Sequence, residues 1–308
     1  MITRVILRKE QSMAMVDMKR IHALEDATEL LEHPAELRQR AAEHGCLFFR
    51  RLLEPARVLE VRRQVLGVCR EHGWLAPGSN LIDGFANSGT SVFEGDDPRW
   101  QAFYNDVQRI RDFHALALDP AITHMLEVLF GEPALAHSRN ICRLVFPDTN
   151  THSTPPHQDN YFIGGSDETW TAWIPLGDCP EELGGLAVNR GSHRSGMLET
   201  TEGVGPGGRQ VPVEDDSAWV GGDYTCGDVI ILHSLTIHQG RDNLTADRLR
   251  LSSDYRYQPR SHPVREDSLQ PHMNWLTWDQ IYEHWDEDDP VKFYWRDWDL
   301  DVVKREPR

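Results

Sequence analysis

Membrane-spanning segments and positive charge are what this sequence lacks most clearly. It contains no run of about 18 consecutive apolar residues, which is the length that a spanning helix requires. Its 32 Lys and Arg are outnumbered by 49 Asp and Glu, so the formal net charge is −17. A surface of this sign repels nucleic-acid phosphates and anionic lipids. We therefore expect neither nucleic acid nor a membrane as a partner.

Cysteine is also scarce, and its spacing excludes a zinc ribbon. The five cysteines are odd in number and form no CxxC pair, which also argues against a disulfide framework. They are Cys46, Cys69, Cys142, Cys179 and Cys226. Residues 1–20 lack the apolar core of a secretory signal peptide, so a reducing, cytoplasmic location is the simplest expectation. The absence of GxSxG and GxxxxGKS motifs removes the common hydrolase-elbow and P-loop interpretations.

The first part of the chain, residues 1–135, is predicted to be mainly helical. One apolar stripe is formed at helical spacing by Val58, Val61, Val65 and Val68. A second helix is expected to begin at Asp119-Pro120, a capping residue followed by proline at the first helical position, and to end at Gly131.

Short apolar runs bounded by Pro, Gly, Asp and Asn follow and predict β-strands. The runs are ICRLVF (141–146), TWTAWI (169–174), GLAV (185–188), VIILH (229–233) and RLSSDYRY (250–257). No helix-length segments alternate with them, so a parallel sheet is not favoured. We predict a mainly β protein with flanking helices, in which an antiparallel sandwich or jelly-roll forms the core.

Two loops and a tryptophan-rich tail complete the predicted organisation. The polar, glycine-containing segments 77–97 and 199–216 are expected to cover the mouth of a site. Five of the ten tryptophans lie within residues 275–298, interspersed with acidic residues. We favour packing of these indoles against the β core, with the acids in solvent, over a subunit interface. The oligomeric state stays open.

The segment around His157 offers candidate metal ligands. In an extended segment, His157 and Asp159 would point to the same face. His238 is the natural third ligand from a distant strand. Two histidines and one carboxylate occupy one face of a ferrous ion and leave positions open for co-substrate and dioxygen. By itself the HxD pattern is weak, because the chain has 15 histidines and 49 acidic residues.

An arginine twelve residues beyond His238 strengthens this interpretation. Arg250 and Ser252 share one face of a predicted strand, where a guanidinium beside a hydroxyl suits the distal carboxylate of a dicarboxylic acid. Two alternatives stay open at this point. Arg250 could form an ion pair with Asp254, or the strand register could favour Arg248 instead.

The order and spacing of these motifs resemble the phytanoyl-CoA dioxygenase family over roughly residues 40–262. The shared blocks are HQDNY (157–161), TWTAWIPLGD (169–178), EELGGLAVNRGSH (181–193) and CGDVIILH (226–233), followed by His238 and Arg250. Within the family, TPPHQDNYFIGG (154–165) and YQPRSH (257–262) are most similar to bacterial natural-product hydroxylases. The resemblance implies an Fe(II)- and 2-oxoglutarate-dependent oxygenase built on a double-stranded β-helix.

The resemblance also implies roles for individual residues. His157, Asp159 and His238 would bind iron, and Arg250, with Ser252 beside it, would anchor 2-oxoglutarate. Trp173 matches a position that lines the 2-oxoglutarate site, although ordinary core packing is an equal alternative. Related halogenases replace the carboxylate ligand with a small residue, so an aspartate at this position argues against chlorination.

Two further arginines match positions that related hydroxylases use against an anionic substrate. Arg143 and Arg194 are both present, so an acidic substrate is one expectation. Surface charge or ion pairing is at least as good an interpretation of these two residues in an acid-rich protein.

The resemblance predicts hydroxylation of an unactivated C–H bond in a small organic molecule, with release of succinate and carbon dioxide. Desaturation, epimerisation or ring chemistry at the same iron site is the nearest alternative, and a non-catalytic jelly-roll that binds metal or ligand is a more distant one. A zinc hydrolase is disfavoured because nothing marks a dedicated general base. We expect one oxygenase domain over residues 1–308, with a helical buttress (1–135), a β-helix core (136–262) and a C-terminal segment (263–308).

Overall fold

A computed structural model describes residues 21–90, 92, 94–95, 97–147, 153–214 and 216–305. Residues 1–20, on which the expectation about a signal peptide rests, lie outside the described residues, as do single positions in the two predicted loops. Within the described ranges, no helix combines the length and the apolar character needed to cross a membrane.

The helices lie mainly in the first part of the chain, as predicted. They are α1 (Pro34–His44), α2 (Pro55–Glu71), α3 (Pro98–Gln108), α4 (Arg111–Leu116), α5 (Pro120–Phe130), α6 (Asn160–Ile163) and α7 (Trp278–Ile281). The valine stripe of α2 faces the core, with Val58, Val61 and Val65 buried. Helix α5 has the predicted ends, because the Asp119 carboxylate accepts a hydrogen bond from the Ala121 amide at 2.9 Å and Gly131 adopts a left-handed conformation.

Strands occupy the predicted apolar runs and several shorter segments. They are β1 (His22–Ala23), β2 (Cys46–Phe49), β3 (Ala134–Ala136), β4 (Ile141–Val145), β5 (Trp170–Pro175), β6 (Leu186–Asn189), β7 (Thr201–Glu202), β8 (Arg209–Gln210), β9 (Trp219–Gly221), β10 (Val229–His233), β11 (His238–Gly240), β12 (Arg250–Pro259), β13 (Val264–Arg265) and β14 (Val302–Val303). The chain is therefore mainly β-sheet with flanking helices.

Two sheets dominate the β region. The larger has the order β2-β10-β5-β12-β3, with β4 also paired to β12, and its pairings are antiparallel. The smaller has the order β1-β9-β6-β11 and is antiparallel except for the β1–β9 pair. The shorter pairs β7–β8 and β13–β14 lie outside these sheets. The antiparallel prediction is thus confirmed for the main strands.

The larger sheet has two distinct faces because side chains alternate along each strand. On β12, Leu251, Tyr255 and Tyr257 belong to the main hydrophobic core, which also contains apolar side chains of α2, α3 and α5. Arg250 and Ser252 occupy the alternate positions and lie on the opposite face. The helices therefore cover one face of the sheet. The other face packs apolar side chains such as Phe48, Ile230 and Leu232 against the smaller sheet and also carries the polar side chains of β12.

The C-terminal tryptophans pack against the rest of the chain. Trp278 and Trp295 are buried in a cluster that includes Leu135 of β3. The indole of Trp285 donates a hydrogen bond to the Arg109 carbonyl at 2.9 Å. These indoles therefore pack against the rest of the chain, as the favoured interpretation of this segment predicts.

The acidic residues beside them only partly follow the prediction of a solvated segment. Asp286, Glu287 and Asp288 are exposed. The Asp289 carboxylate instead pairs with the Arg111 guanidinium at 2.8 Å, and this hydrogen bond lowers the pKa of Asp289.

Replacing Trp278 tests whether this segment acts through packing. Its ring stacks on Tyr282 at a centroid separation of 5.2 Å, and its indole NH donates to the Leu269 carbonyl. Trp278→Ala should lower the free energy of unfolding by about 3–5 kcal/mol in denaturant titrations. Leu244→Ala, which truncates an exposed side chain, should change it by less than about 0.5 kcal/mol. A change in oligomeric state with unaltered stability would favour the interface interpretation instead.

Candidate active site

Three buried side chains meet where the segment preceding α6 approaches β11. The backbone amides and carbonyls of His157 and His238 exchange two hydrogen bonds of 3.0 Å each. Asp159 follows at the start of α6. The Nε2 atoms of His157 and His238 lie 3.6 and 3.8 Å from Oδ1 of Asp159. One ligand atom from each residue thus lies within 4.8 Å of the others.

The local conformation at Asp159 differs from the expected extended strand. Asp159 has φ −63° and ψ −31°, which is α-helical, and its carbonyl accepts from the amides of Phe162 and Ile163. The aspartate therefore reaches the histidines by a turn into a short helix rather than by strand alternation. The predicted residues converge, but the geometric reason given for their convergence was wrong.

Hydrogen bonds at the outer ring nitrogens orient both histidines. Nδ1 of His157 lies 2.8 Å from the Pro155 carbonyl, and Nδ1 of His238 lies 3.0 Å from the Thr236 carbonyl. A carbonyl only accepts, so each Nδ1 carries a proton and each Nε2 is the nitrogen left to bind a metal. Burial, assisted by the neighbouring His157, lowers the pKa of His238 to about 4. His238 is therefore neutral at physiological pH.

Two residues orient the Asp159 carboxylate. The Thr171 hydroxyl donates to Oδ2 at 2.5 Å, and Nη2 of Arg256 lies 3.2 Å from both carboxylate oxygens. Burial alone would raise the pKa of Asp159, but Arg256 and the two histidines hold it well below its usual range. The carboxylate is therefore ionised, with Oδ2 held by Thr171 and Oδ1 close to both Nε2 atoms.

This donor set fits a ferrous ion. Two imidazole nitrogens and one carboxylate oxygen from three buried residues lie within 4.8 Å of one another. Such a 2-His-1-carboxylate face is typical of non-haem Fe(II) oxygenases, because it leaves coordination positions for other ligands.

Arg250 lines the same cavity as His157 and His238. It is a buried cation without an anionic partner in the described part of the chain. Its side chain is 5% exposed, and Nη1 donates to the Ser252 hydroxyl at 2.8 Å. Its Nε has no hydrogen-bond partner, and no carboxylate among the described residues lies within 4.0 Å of it. Burial lowers the pKa of this guanidinium, but arginine stays protonated. A carboxylate of 2-oxoglutarate fits this position, since a buried charge without a partner is unfavourable.

The structure decides between the alternatives considered for this arginine. Asp254 pairs with Arg143 at 3.0 Å, so the predicted alternative of an Arg250–Asp254 ion pair is wrong. Arg248 is exposed, with its guanidinium 5.5 Å from the ring centre of Phe85. The strand register therefore directs Arg250 into the cavity.

The cavity that contains these groups has a volume of about 340 Å³ and is lined from both sheets. Trp173 lies in its wall and also packs on Tyr224, with ring centres 4.9 Å apart, so it belongs to the cavity wall and to the core packing. The loop 77–97 contributes Val92 and Glu94, and the loop 199–216 contributes Val204, Gly205 and Pro206. Both segments thus lie at the cavity, as expected for loops that cover a site.

The two arginines expected to meet an acidic substrate have other partners. Arg143 lies in the cavity wall, but its guanidinium binds Glu94 at 2.7 Å and Asp254 at 3.0 Å. Arg194 is exposed, lies outside the cavity lining and donates to the Glu43 carbonyl at 3.0 Å. The prediction for Arg194 is therefore wrong, because its short helical turn directs it to the outer surface. For Arg143, ion pairing is the interpretation that holds.

Sequence reasoning missed Thr171, Arg256 and Glu94. The alternation of side chains along a strand could have predicted the first two. Thr171 lies two residues before Trp173 on β5, and Arg256 continues the Arg250–Ser252 face of β12. Glu94 lies on a loop, where no periodic signal exists.

Comparison with known proteins agrees with this geometry. The model of the phytanoyl-CoA dioxygenase (PhyH) family matches residues 41–251. The chain belongs to this family. It is therefore a non-haem dioxygenase that uses iron(II), 2-oxoglutarate and dioxygen.

Two curated relatives of this dioxygenase are hydroxylases. This chain is 29% identical over 260 residues to a 1-deoxypentalenic acid 11-beta-hydroxylase of Streptomyces arenae. The match covers 80% of this chain and 88% of the relative. The enzyme of the same name from Streptomyces exfoliatus is 27% identical over the same coverage.

Solved structures show the same fold at lower identity. The epimerase SnoN, determined with Fe3+, alpha ketoglutarate and nogalamycin RO, gives a TM-score of 0.53 at 20% identity and covers 76% of this chain and 86% of its own. The alpha ketoglutarate dependent carbocyclase SnoK gives 0.51 at 21% identity, with coverages of 76% and 88%.

Thr171→Val tests the orientation of the Asp159 carboxylate. The change keeps the shape of the side chain and removes the donor to Oδ2, so the apoprotein should bind Mn(II) about tenfold more weakly in an equilibrium titration. Thr169→Val is a matched control, because this buried threonine bonds to the Ser166 carbonyl rather than to a metal-site residue. Equal affinity in the two variants would show that Thr171 does not position the ligand.

Proposed function

We propose that this dioxygenase hydroxylates an unactivated C–H bond of a small organic molecule, releasing succinate and carbon dioxide. The observation that carries the proposal is the cavity itself, where the histidine–aspartate cluster and the unpaired Arg250 face a largely apolar wall. The hydroxylase names of the two curated relatives support the same outcome.

Each residue has a distinct role in this proposal. His157, Asp159 and His238 hold the iron. Arg250 and Ser252 hold the distal carboxylate of 2-oxoglutarate, while Trp173 forms part of the surrounding wall. We further propose that residues 1–308 form one oxygenase domain, with a helical buttress over residues 1–135, a double-stranded β-helix core over 136–262 and a C-terminal segment over 263–308. The free, buried thiols of the five cysteines support a cytoplasmic location.

The chain contributes chiefly by positioning. When bound, iron and 2-oxoglutarate supply the activation of dioxygen that permits removal of hydrogen from a C–H bond and its replacement by hydroxyl. His157, Asp159 and His238 would hold the iron in the wall of the cavity, where co-substrate and substrate could reach it. Arg250 fixes the orientation of the co-substrate. Apolar side chains such as Leu144, Phe146 and Leu232 hold the substrate carbon near the metal and exclude water.

A second outcome at the same site is epimerisation or ring formation. SnoN is an epimerase and SnoK a carbocyclase, and both share the fold of this chain. All these outcomes begin with hydrogen abstraction, so product identification with the true substrate distinguishes them, and the iron site is the same in each case.

An anaerobic titration tests the iron and 2-oxoglutarate sites directly. Adding Fe(II) and 2-oxoglutarate to the apoprotein should give a visible charge-transfer band, and admission of oxygen should then release succinate. Zinc should not support either signal, since it has no redox chemistry. Asp159→Ala should give neither the band nor succinate. Full activity in that variant would contradict the proposed ligand set.

Arg250→Ala tests the co-substrate anchor. Loss of a buried charge-assisted pair should raise the 2-oxoglutarate concentration needed for half-maximal succinate release by roughly a hundredfold. Arg248→Ala, an exposed arginine two residues earlier, should leave it nearly unchanged. The reverse pattern would assign the anchor to Arg248.

A further inference from the structure

The charged groups around the cavity balance one another within the described part of the chain. There they comprise three carboxylates and three guanidinium groups: Glu94, Asp159 and Asp254, and Arg143, Arg250 and Arg256. The histidine ligands are neutral when they donate Nε2 to a metal. The two charges of a ferrous ion are cancelled by the two carboxylates of 2-oxoglutarate. The loaded site is therefore close to neutral before any substrate enters.

Arg143 is the cation whose pairing bears most on the substrate, because it lies in the wall beyond the co-substrate anchor. Nη1 donates to Oε1 of Glu94 at 2.7 Å, and Nε donates to Oδ2 of Asp254 at 3.0 Å. The Arg143 and Glu94 side chains are each only 18% exposed, and that of Asp254 is 9% exposed, so water screens the group weakly. One positive charge is thus met by two negative charges.

The charges of the other two cations are also matched. Nη2 of Arg256 lies 3.2 Å from both oxygens of Asp159 and 3.9 Å from Asp254, although Nε and Nη1 of the same guanidinium have no hydrogen-bond partner in the part of the chain that the structure describes. Arg250 is needed for the distal carboxylate of 2-oxoglutarate. Among the described residues, no further Lys or Arg lines the cavity. A carboxylate on the substrate would therefore meet no cation whose charge is left unmatched, and it would face Glu94 and Asp254.

We infer that the primary substrate is a neutral molecule with a largely apolar body, and that Glu94, together with Asp254, excludes carboxylates from the site. The body of such a molecule would contact the aliphatic and aromatic wall, which includes Val92, Leu144, Phe146 and Leu186. The inference rests on the proposed oxygenase function and specifies its substrate class. It separates this chain from the two curated relatives, whose names specify an acid.

A matched pair of probes tests the inference on the Fe(II)–2-oxoglutarate complex under anaerobic conditions. Cyclohexanecarboxylate and cyclohexanecarboxamide have nearly the same shape and differ in charge. Calorimetric titration of the wild-type complex should show weaker binding of the carboxylate. Glu94→Gln removes one of the two negative charges that face Arg143, so it should raise the carboxylate affinity by about tenfold or more. The carboxamide affinity should stay within about twofold.

Two variants control for general charge effects. Glu36→Gln removes a negative charge from an exposed position on α1, outside the cavity lining, and should leave both affinities unchanged. The double variant Glu94→Gln/Arg143→Gln should lose the gain for the carboxylate, because the freed guanidinium is then absent.

The inference is overturned if the wild-type complex binds the carboxylate as tightly as the carboxamide, or if Glu94→Gln gives no gain for the carboxylate. If neither probe binds the wild-type complex, the Glu94→Gln variant decides. Carboxylate binding by the variant supports the inference, and the absence of such binding overturns it. The charge-transfer band of the same samples reports the iron and 2-oxoglutarate site separately. Failure of the substrate inference is therefore distinguishable from failure of the proposed function.

Discussion

The paired backbone hydrogen bonds between His157 and His238 are the constraint on which the site depends. They join the segment before α6 to β11 of the smaller sheet and place the two imidazole rings 4.1 Å apart between centres. Asp159 is two residues from one end of this bridge, so the turn into α6 needs only to rotate its carboxylate toward the rings. Thr171 and Arg256, on strands of the larger sheet, then fix that carboxylate. The ligand set therefore exists only when both sheets are in place.

The alternation of side chains along β12 sets the electrostatics of the cavity. One face of the strand contributes Leu251, Tyr255 and Tyr257 to the core under the helices. The other face aligns Arg250, Ser252, Asp254 and Arg256 along the cavity. Buried charges are tolerated when they are paired. Arg256 has Asp159 and Asp254 has Arg143, whereas Arg250 has only a hydroxyl group. We therefore propose that a carboxylate of the co-substrate supplies the anion at Arg250.

The sequence predicts those features that depend on local periodicity or on motif order. Strand runs such as 229–233 and 250–257 are predictable because they are short runs bounded by Pro, Gly, Asp and Asn, and the histidine–aspartate cluster because its members occur in a recognisable order. Features that depend on long-range neighbours were not found. Glu94 meets Arg143 from a loop 49 residues away in sequence, and neither residue type nor spacing reveals that contact. Arg194 was misplaced because the matched position says nothing about the direction of a short helical turn.

The acidic composition of the chain is a poor guide to what enters the site, because surface charge and site charge act over different distances. Exposed charges are screened within about 8 Å at physiological ionic strength, so the excess of 17 negative charges affects mainly the rate at which an anion approaches. Binding is decided by buried groups, which are screened far less. Arg250 can therefore attract a dianion into an acidic protein, and two carboxylates beside Arg143 can reject a second anion a few ångströms away. Selection of the substrate in this site follows from local pairing of charges rather than from net charge.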